Sequence, residues 1–224
     1  KRANYWESMI KKYEIDTMLY HSCTCCVLLW DVCLIKGLRC NLVIETHSMF
    51  CGSMWYDIKF SSYLPRIYRM VDRVVSLSQV DVEFWKNYAP TYFIPNPIDC
   101  ISRKNISNNY NSQNIIWVGR LAEEKNPYAI LEAFSIVHNE LPSATLTIVG
   151  DNDDPSWMRG LQERANHLNI EQNVEFCGYE LEIGEYYQMA SIFAMTSLSE
   201  SFSMVLAESK EYGLPAVMFE LPNL

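Results

Sequence analysis

Long apolar runs are absent from this 224-residue chain, and none approaches the roughly 20 apolar residues that a membrane-spanning helix needs. The longest candidate, residues 23–35, is short and is interrupted by Asp31. It lies behind Lys11, Lys12 and Glu14, too far into the chain for a secretory leader of ordinary layout. Because 49% of all residues are hydrophobic, the composition predicts a globular protein with a sizeable core and argues against disorder.

Positive charge is scarce in the second half of the chain. Residues 111–224 contain 5 Lys or Arg against 17 Asp or Glu, whereas residues 1–110 contain 13 against 10. With a net charge of −9, this distribution argues against a broad nucleic-acid-binding surface in the second half. Arg120 and Lys125 stand out because they are two of the few cations there.

A second cysteine pair at zinc-finger or zinc-ribbon spacing is also missing. Eight cysteines are present, and Cys23 and Cys26 form a C-x2-C with His21 nearby, but nothing completes a zinc site. We favour buried free thiols in a helix of a cytosolic protein over zinc binding.

Strand-like and helix-like segments alternate along the chain. Strands are predicted at residues 17–20, 41–44, 73–77, 91–94, 114–118, 144–149, 173–176, 192–195 and 216–219. Helices are predicted at residues 24–36, 63–71, 80–88, 127–138, 154–167, 182–190 and 205–212, with Asn126 as the N-cap of the helix at 127–138. This order predicts an α/β fold with parallel sheets covered by helices on both faces. The Asn- and Ser-rich residues 99–113 read as a linker between domains at 1–98 and 114–224.

Four polar or glycine-containing turns follow predicted strands in the second domain. They are Gly119-Arg120, Gly150-Asp151, Cys177-Gly178 and residues 197–200. Ligands of parallel α/β sheets bind at the carboxyl ends of the strands, so we expect these turns to meet at one rim.

Residues 200–208, ESFSMVLAE, read as the start of a helix. Ser201 and Ser203 are placed to cap free N–H groups, and a helix N-terminus favours anions. Glu200 precedes this helix start and Glu208 lies further inside the helix. Carboxylates that accept hydrogen bonds from hydroxyls, beside N–H groups that donate to phosphate, suit a sugar attached to a nucleotide diphosphate.

The same segment resembles a known family. Residues 199–217 (SESFSMVLAESKEYGLPAV) are similar to the donor-site signature of the retaining GT-B glycosyltransferases of "group 1". Residues 115–126 (IIWVGRLAEEKN), 145–150 (TLTIVG) and 93–99 (FIPNPID) resemble three further signatures of that family, and all four occur in the family's order. The resemblance implies two Rossmann-like domains facing a cleft. The first would be incomplete at its N-terminus and the second at its C-terminus, as in a fragment. The resemblance also points to bacterial enzymes of surface-polysaccharide synthesis.

The resemblance implies a role for individual residues. Arg120 and Lys125 would hold the diphosphate, Glu208 the ribose hydroxyls, and Glu200 the donor sugar. His47 would lie near the anomeric carbon, although a structural histidine is an equal alternative. The catalytic set is therefore His47, Arg120, Lys125 and Glu200. The donor-binding set is Gly119, Arg120, Lys125, Glu200, Ser201, Phe202, Ser203, Met204, Val205 and Glu208, with main-chain N–H groups of 202–205 included.

Two features depart from the family pattern. Ser201 and Ser203 stand where relatives often have Gly, which narrows the site. Asp151-Asn-Asp153 invites comparison with an Asp-x-Asp metal motif, but its context is wrong, and we predict neither a metal nor a cofactor.

The sequence thus predicts an enzyme that moves a sugar from a nucleotide-diphosphate sugar (UDP- or GDP-sugar) to a glycan or lipid-linked hydroxyl acceptor with retention, without a metal. A nucleotide- or sugar-phosphate-binding module without transferase activity is the alternative, as is an epimerase or phosphorylase of the same fold. We expect a cytoplasmic location. A basic stretch suggests peripheral contact with the inner face of the membrane, but we favour a solvated helix face. It consists of Lys59 and of Arg66, Arg69 and Arg73, which are at helical spacing.

Overall fold

The computed structural model describes residues 2–22, 27–46, 64–98, 111–221 and 224. Residues 23–26 with their cysteines, His47 and most of the predicted linker lie outside the described residues. The chain divides into two compact units. The first comprises Lys1–Asn96, Glu200–Phe202 and Pro222–Leu224, and the second comprises Pro97–Ser199 and Ser203–Leu221.

The first unit contains a four-stranded parallel sheet whose order, β1-β2-β3-β4, follows the chain. The strands are β1 (Thr17–Ser22), β2 (Asn41–Thr46), β3 (Arg73–Ser76) and β4 (Thr91–Phe93). The helices are α1 (Arg2–Lys12), α2 (Val27–Gly37), α3 (Leu64–Tyr68) and α4 (Gln79–Trp85). The core includes Leu42, Ile44 and Val74 from the strands, and Tyr68 stacks on Trp85 with ring centroids 3.8 Å apart.

Asp72 fastens the sheet of the first unit to α2. Its Oδ2 accepts from Lys36 Nζ at 2.6 Å and from the Leu42 N–H at 2.7 Å. Burial alone would raise the pKa of the Asp72 carboxyl, but the hydrogen bonds and charge of Lys36 together with the Leu42 N–H hold that pKa below its ordinary value.

The second unit contains a five-stranded parallel sheet in the order β7-β6-β5-β8-β9. The strands are β5 (Asn114–Val118), β6 (Thr145–Val149), β7 (Val174–Gly178), β8 (Ile192–Met195) and β9 (Ala216–Met218). The helices are α5 (Pro127–Glu140), α6 (Ser156–His167), α7 (Ile183–Met189) and α8 (Met204–Glu211). Short 3-10 turns lie at Glu123–Lys125 and Glu171–Asn173.

Both faces of this second sheet are covered. Alternate side chains of β5 enter different cores, with Trp117 in one and Ile116 and Val118 in the other. The first core includes residues of α5 and α6, and the second includes residues of α7 and α8. The strand order reverses between β5 and β8, which defines the topological switch point at which α/β sheets bind ligands.

Several sequence expectations need correction. The helix α1 (Arg2–Lys12) was not predicted; in its described part only Ile10 is buried, so its apolar face is narrow. The helix expected at 63–71 ends at Tyr68. The following turn closes with hydrogen bonds between residues three positions apart, such as Met70 N–H to Ile67 O at 2.9 Å, and these do not continue an α-helix. Arg73 instead begins β3, so Arg66, Arg69 and Arg73 do not share one helix face. In the described part of the chain, no helix combines the length and apolarity needed to cross a membrane.

Candidate functional site

Thr196 joins the turns that follow β5 and β8 at the switch point. Its Oγ1 accepts from Trp117 Nε1 at 2.9 Å and lies 2.9 Å from Asn126 O and 3.0 Å from Lys125 O, which share its one proton. The Leu198 N–H donates to Glu124 O at 2.8 Å. Since Thr196 is only 5% exposed, this junction is a fixed part of the fold.

The turns after β5, β6 and β7 are joined in the same way. Gly150 N–H donates to Gly178 O at 2.7 Å, and Leu121 N–H donates to Asp151 O at 3.1 Å. Gly150 has a φ of 141°, and a Cβ there would lie 1.8 Å from Gly119 O. Only glycine therefore permits this approach. The turns after β5, β6 and β7 and residues 197–199 of the turn after β8 thus lie along one edge of the second sheet.

Arg120 projects from this edge with a side chain that is 67% exposed, and it forms an ion pair with Glu124. Burial raises the pKa of Glu124. A main-chain hydrogen bond, the hydrogen bond from Arg120 and the charges of Arg120 and Lys125 outweigh burial, so this pKa lies below its ordinary value. Glu124 therefore stays ionised and orients the guanidinium. A guanidinium has five N–H donors, so this pairing leaves donors for a ligand. Arg120 also lines a cavity of about 460 Å³ with Asp151, Asp153 and Tyr179.

Lys125 ends the 3-10 turn at Glu123–Lys125, and its side chain is half-buried. Its main chain is held by Thr196, as described above. The next residue, Asn126, has a φ of 51° and makes no side-chain hydrogen bond to the start of α5, so its expected role as a capping side chain is wrong. The left-handed backbone at Asn126 instead turns the chain from Lys125 into the helix.

The start of α8 also differs from expectation. Ser203 occupies the N-cap position with a φ of 55°, but its Oγ lies 3.2 Å from Met195 Sδ and caps no N–H group. Glycine adopts a left-handed backbone most readily, and Ser adopts it at a cost of about 1 kcal/mol or more. The first N–H groups of α8 therefore receive no side-chain cap from Ser203.

Glu208 lies in the second turn of α8 and lines a cavity of about 550 Å³. Its Oε2 accepts from the hydroxyl of Tyr187 at 3.2 Å. Burial and then the Glu208 charge raise the pKa of Tyr187, so this hydroxyl stays protonated. The other lining residues are Pro97, Ile98, Leu181, Glu182, Ile183, Gly184, Tyr187, Met204, Glu211 and Tyr212.

Arg120 and Glu208 thus line different cavities of the second unit. The predicted gathering of Arg120, Lys125, Glu200 and Glu208 in one pocket stays a prediction.

The other predicted site residues lie in different parts of the fold. Glu200, Ser201 and Phe202 group with the first unit, where Glu200 is 8% exposed. Met204 and Val205 open α8. Gly119 approaches Trp117, whose ring would lie 3.2 Å from an added Cβ.

The Asp151-Asn-Asp153 turn has a local structural use. Asp151 Oδ1 accepts from the Asn152 N–H at 2.7 Å, and Asn152 Nδ2 donates to Leu121 O at 2.7 Å. Within the described ranges, no three His, Cys, Asp or Glu side chains are grouped so as to hold a metal ion.

Reasoning from sequence missed Tyr187 and Thr196. Thr196 directly follows an apolar strand at the switch point, which was a usable signal. Tyr187 carried none, because its contact with Glu208 depends on the packing of α7 against α8.

The sequence model of the family described as "Glycosyl transferases group 1" matches residues 101–223. The chain is 30% identical over 165 residues to the amylovoran biosynthesis glycosyltransferase AmsD of Erwinia amylovora, covering 68% of this chain and 44% of that protein. It is 26% identical over 184 residues to the poly(glycerol-phosphate) alpha-glucosyltransferase of Bacillus subtilis, covering 78% of this chain and 26% of that protein. The chain therefore spans less than half the length of these relatives.

Solved structures of similar fold include pneumococcal O-GlcNAc transferase GtfA in complex with UDP and GlcNAc. It has a TM-score of 0.75 and 17% identity, over 99% of this chain and 46% of that one. Anabaena Alr3699/HepE in complex with UDP has a TM-score of 0.79 and 19% identity, over 96% of this chain and 62% of that one. These likenesses confirm the expected α/β fold of the GT-B type.

Proposed function

The chain belongs to the glycosyl transferases of group 1, and from that premise we propose that it transfers a sugar from a nucleotide-diphosphate sugar to a hydroxyl acceptor with retention of configuration. The observation that carries the proposal is the fixed edge at the β5/β8 switch point, from which Arg120 and Lys125 emerge. Residues 114–224 form the donor-binding domain in this proposal, and residues 1–98 form the acceptor side.

The diphosphate is assigned to Arg120 and Lys125. In the transfer, the bond from the anomeric carbon to the diphosphate oxygen breaks and a bond to the acceptor oxygen forms. The acceptor proton passes to the departing phosphate, so no protein base is required. Two cations stabilise the charge that develops on the leaving group, and no metal is needed for that task. Glu124 supports this assignment because it orients Arg120 before the ligand arrives.

The nucleoside is assigned to the cavity that Glu208 lines. Its volume of about 550 Å³ lies within the usual range for small-molecule sites. A carboxylate accepts hydrogen bonds from neighbouring ribose hydroxyls, and the apolar walls formed by Leu181 and Ile183 suit a planar base. Glu200 and His47 are assigned to the donor sugar and the region of the anomeric carbon, as the family resemblance implies.

The relatives and the structures of similar fold indicate the class of the donor and the class of the acceptor. GtfA and HepE were solved with UDP, which supports a UDP-sugar ahead of a GDP-sugar. The name of AmsD refers to amylovoran biosynthesis, which supports a glycan or lipid-linked acceptor and a place in polysaccharide synthesis. Such an acceptor fits an enzyme working in the cytoplasm or at the inner face of the membrane.

The first test measures binding and chemistry in sequence. UDP, GDP and ADP at equal concentration should raise the melting temperature of the wild-type chain unequally, with UDP or GDP most effective. Glu208→Gln should reduce that increase. Glu163→Gln, on the distant helix α6, should not reduce it. The preferred nucleotide is then supplied as its sugar, with and without EDTA, and the anomeric configuration of any product is read by NMR.

Product with retained configuration in EDTA supports the proposal. An inverted product would overturn the proposed retention of configuration. A strict metal requirement would overturn the proposed metal independence. Binding with neither hydrolysis nor transfer supports a nucleotide-binding module, and conversion of free nucleotide sugar without an acceptor supports an epimerase.

A further inference from the structure

Tyr187 is a buried residue of α7 whose single polar side-chain atom faces α8. It is 1% exposed, and its hydroxyl lies 3.2 Å from Glu208 Oε2 and 3.3 Å from Val205 O. A hydroxyl has one proton to donate, and an ionised acceptor makes the stronger bond. The carboxylate of Glu208 is therefore its main partner.

The ring of Tyr187 is fixed on two sides. Its centroid is 6.3 Å from the Phe193 ring of β8 and 5.3 Å from the Tyr212 ring that follows α8. The hydroxyl of Tyr212 in turn occupies the space beside Gly184, where an added Cβ would lie 2.2 Å from it. Gly184 thus lets the two tyrosines close the wall of the cavity that Glu208 lines.

We propose that Tyr187 is the positioning residue for Glu208, holding one carboxylate oxygen so that the other is presented to the ribose hydroxyls of the donor nucleotide. This inference rests on the proposed function, because it assigns a partner to the residue that binds the nucleoside. Packing alone would be served equally well by phenylalanine, which has the same ring. The hydroxyl adds only the hydrogen bonds to α8, so its contribution is to the direction of the carboxylate.

The test compares Tyr187→Phe with Tyr186→Phe, the same change at the adjacent residue of α7. The hydroxyl of Tyr186 interacts with Cys177 and Glu180, so its loss leaves Glu208 untouched. Dissociation constants are measured by calorimetry for UDP or GDP, whichever binds more tightly, and for the matching 2′,3′-dideoxy nucleotide. The same measurements are made on Glu208→Gln and on Glu208→Gln combined with Tyr187→Phe.

We expect Tyr187→Phe to weaken binding of the ribonucleotide about five- to tenfold, the value of one net hydrogen bond. Its effect on the dideoxy nucleotide should be under about twofold, because the hydroxyls that Glu208 would accept are missing. Tyr187→Phe should add little in the Glu208→Gln background, and Tyr186→Phe should bind as the wild type does.

The outcomes separate the inference from the function on which it rests. If the wild-type chain binds neither nucleotide, the proposed function fails and this inference fails with it. If the wild type binds and Tyr187→Phe binds equally well, only the inference is overturned. An equal loss for the ribonucleotide and its dideoxy form would also overturn it, because Tyr187 would then act on the fold and not on the ribose contact.

Discussion

The two sheets of this protein are both parallel, yet they differ in how the chain runs through them. In the first unit the strand order follows the sequence from β1 to β4. In the second unit the chain starts in the middle, with β5, proceeds to one edge and then returns to place β8 on the other side of β5. Diverging connections of this kind leave a crevice at the carboxyl ends of the two central strands.

The difference shows that strand order, and not strand direction alone, creates the candidate site. The described part of the first sheet has no reversal of order, and its fixed ion pair, Lys36 with Asp72, fastens a helix to the sheet. The corresponding fixed contacts in the second unit, made by Thr196, hold the turns that carry Arg120 and Lys125. These contacts join a helix to the sheet in the first unit and hold the turns of the candidate site in the second.

Glycine substitutions should give the largest contrast between the units. Gly150→Ala places a Cβ 1.8 Å from Gly119 O at a φ of 141°, so it should lower the free energy of unfolding by about 3–5 kcal/mol. The control, Gly37→Ala at the end of α2, has no atom within 4 Å of the added Cβ and should stabilise by about 0.5–1 kcal/mol. Urea unfolding monitored by circular dichroism measures both. Equal stability of the two variants would contradict the close approach of the β5 and β6 turns.

Removing the exposed cation of the β5 turn should separate binding from stability. Arg120→Ala should weaken binding of UDP or GDP about 10- to 100-fold, because a charged hydrogen bond contributes about 1.5–3 kcal/mol. Its unfolding free energy should change little, since the side chain is 67% exposed. Arg159→Ala, at an exposed arginine of α6, is the matched control and should bind as the wild type does. Identical affinities for the two variants would remove Arg120 from the proposed site.

Removing the buried Thr196 hydroxyl at the switch point should lower both the stability of the fold and the affinity for nucleotide. Thr196→Val leaves the buried indole N–H of Trp117 without its acceptor and should cost about 1–3 kcal/mol of unfolding free energy. Nucleotide affinity should fall severalfold because the main chain of Lys125 loses its anchor. Thr91→Val is the control in the first unit, where the Thr91 hydroxyl donates to Ala89 O at 2.9 Å. It should cost about 1 kcal/mol or less and leave affinity unchanged. A loss of affinity in both variants would mean that this contact has no special role.

Alkaline pH should lower the free energy of unfolding by a smaller amount, and part of that loss should depend on Tyr187. Its folded-state pKa is raised above the ordinary value of 10.0, mainly by burial, so its contribution to stability is present below that pH and is lost as pH rises. The wild type should therefore lose stability above about pH 10, and Tyr187→Phe should lose less over the same range. Chemical unfolding from pH 8 to 11 measures the difference between them. Parallel curves for both proteins would show that this hydroxyl is not buried against Glu208.

The fold could be predicted largely from sequence because the alternation of short strands and helices is regular. All nine predicted strands appear in the described residues, with ends displaced by one or two positions at most. Helix α1 was missed because its apolar face is narrow, with only Ile10 buried in its described part. Helix α3 was predicted too long because helix ends depend on tertiary contacts such as the stacking of Tyr68 on Trp85.

The site could be predicted only in part. The turns at the carboxyl ends of strands were identified from sequence, since their order fixes which edge they share. The backbone of Ser203 and Asn126 could not be foreseen from the usual capping preferences, because both adopt left-handed conformations imposed by the surrounding turns. The contact between Tyr187 and Glu208 joins residues 21 positions apart on different helices, which no local pattern records.

A crystal structure of this chain with UDP or GDP bound would show whether one nucleotide contacts Arg120, Lys125 and Glu208 together. We expect diphosphate oxygens within about 2.7–3.2 Å of the Arg120 guanidinium and the Lys125 ammonium, at the β5/β8 edge, with the ribose hydroxyls on Glu208. A nucleotide bound elsewhere, with Arg120 still paired only to Glu124, would contradict it.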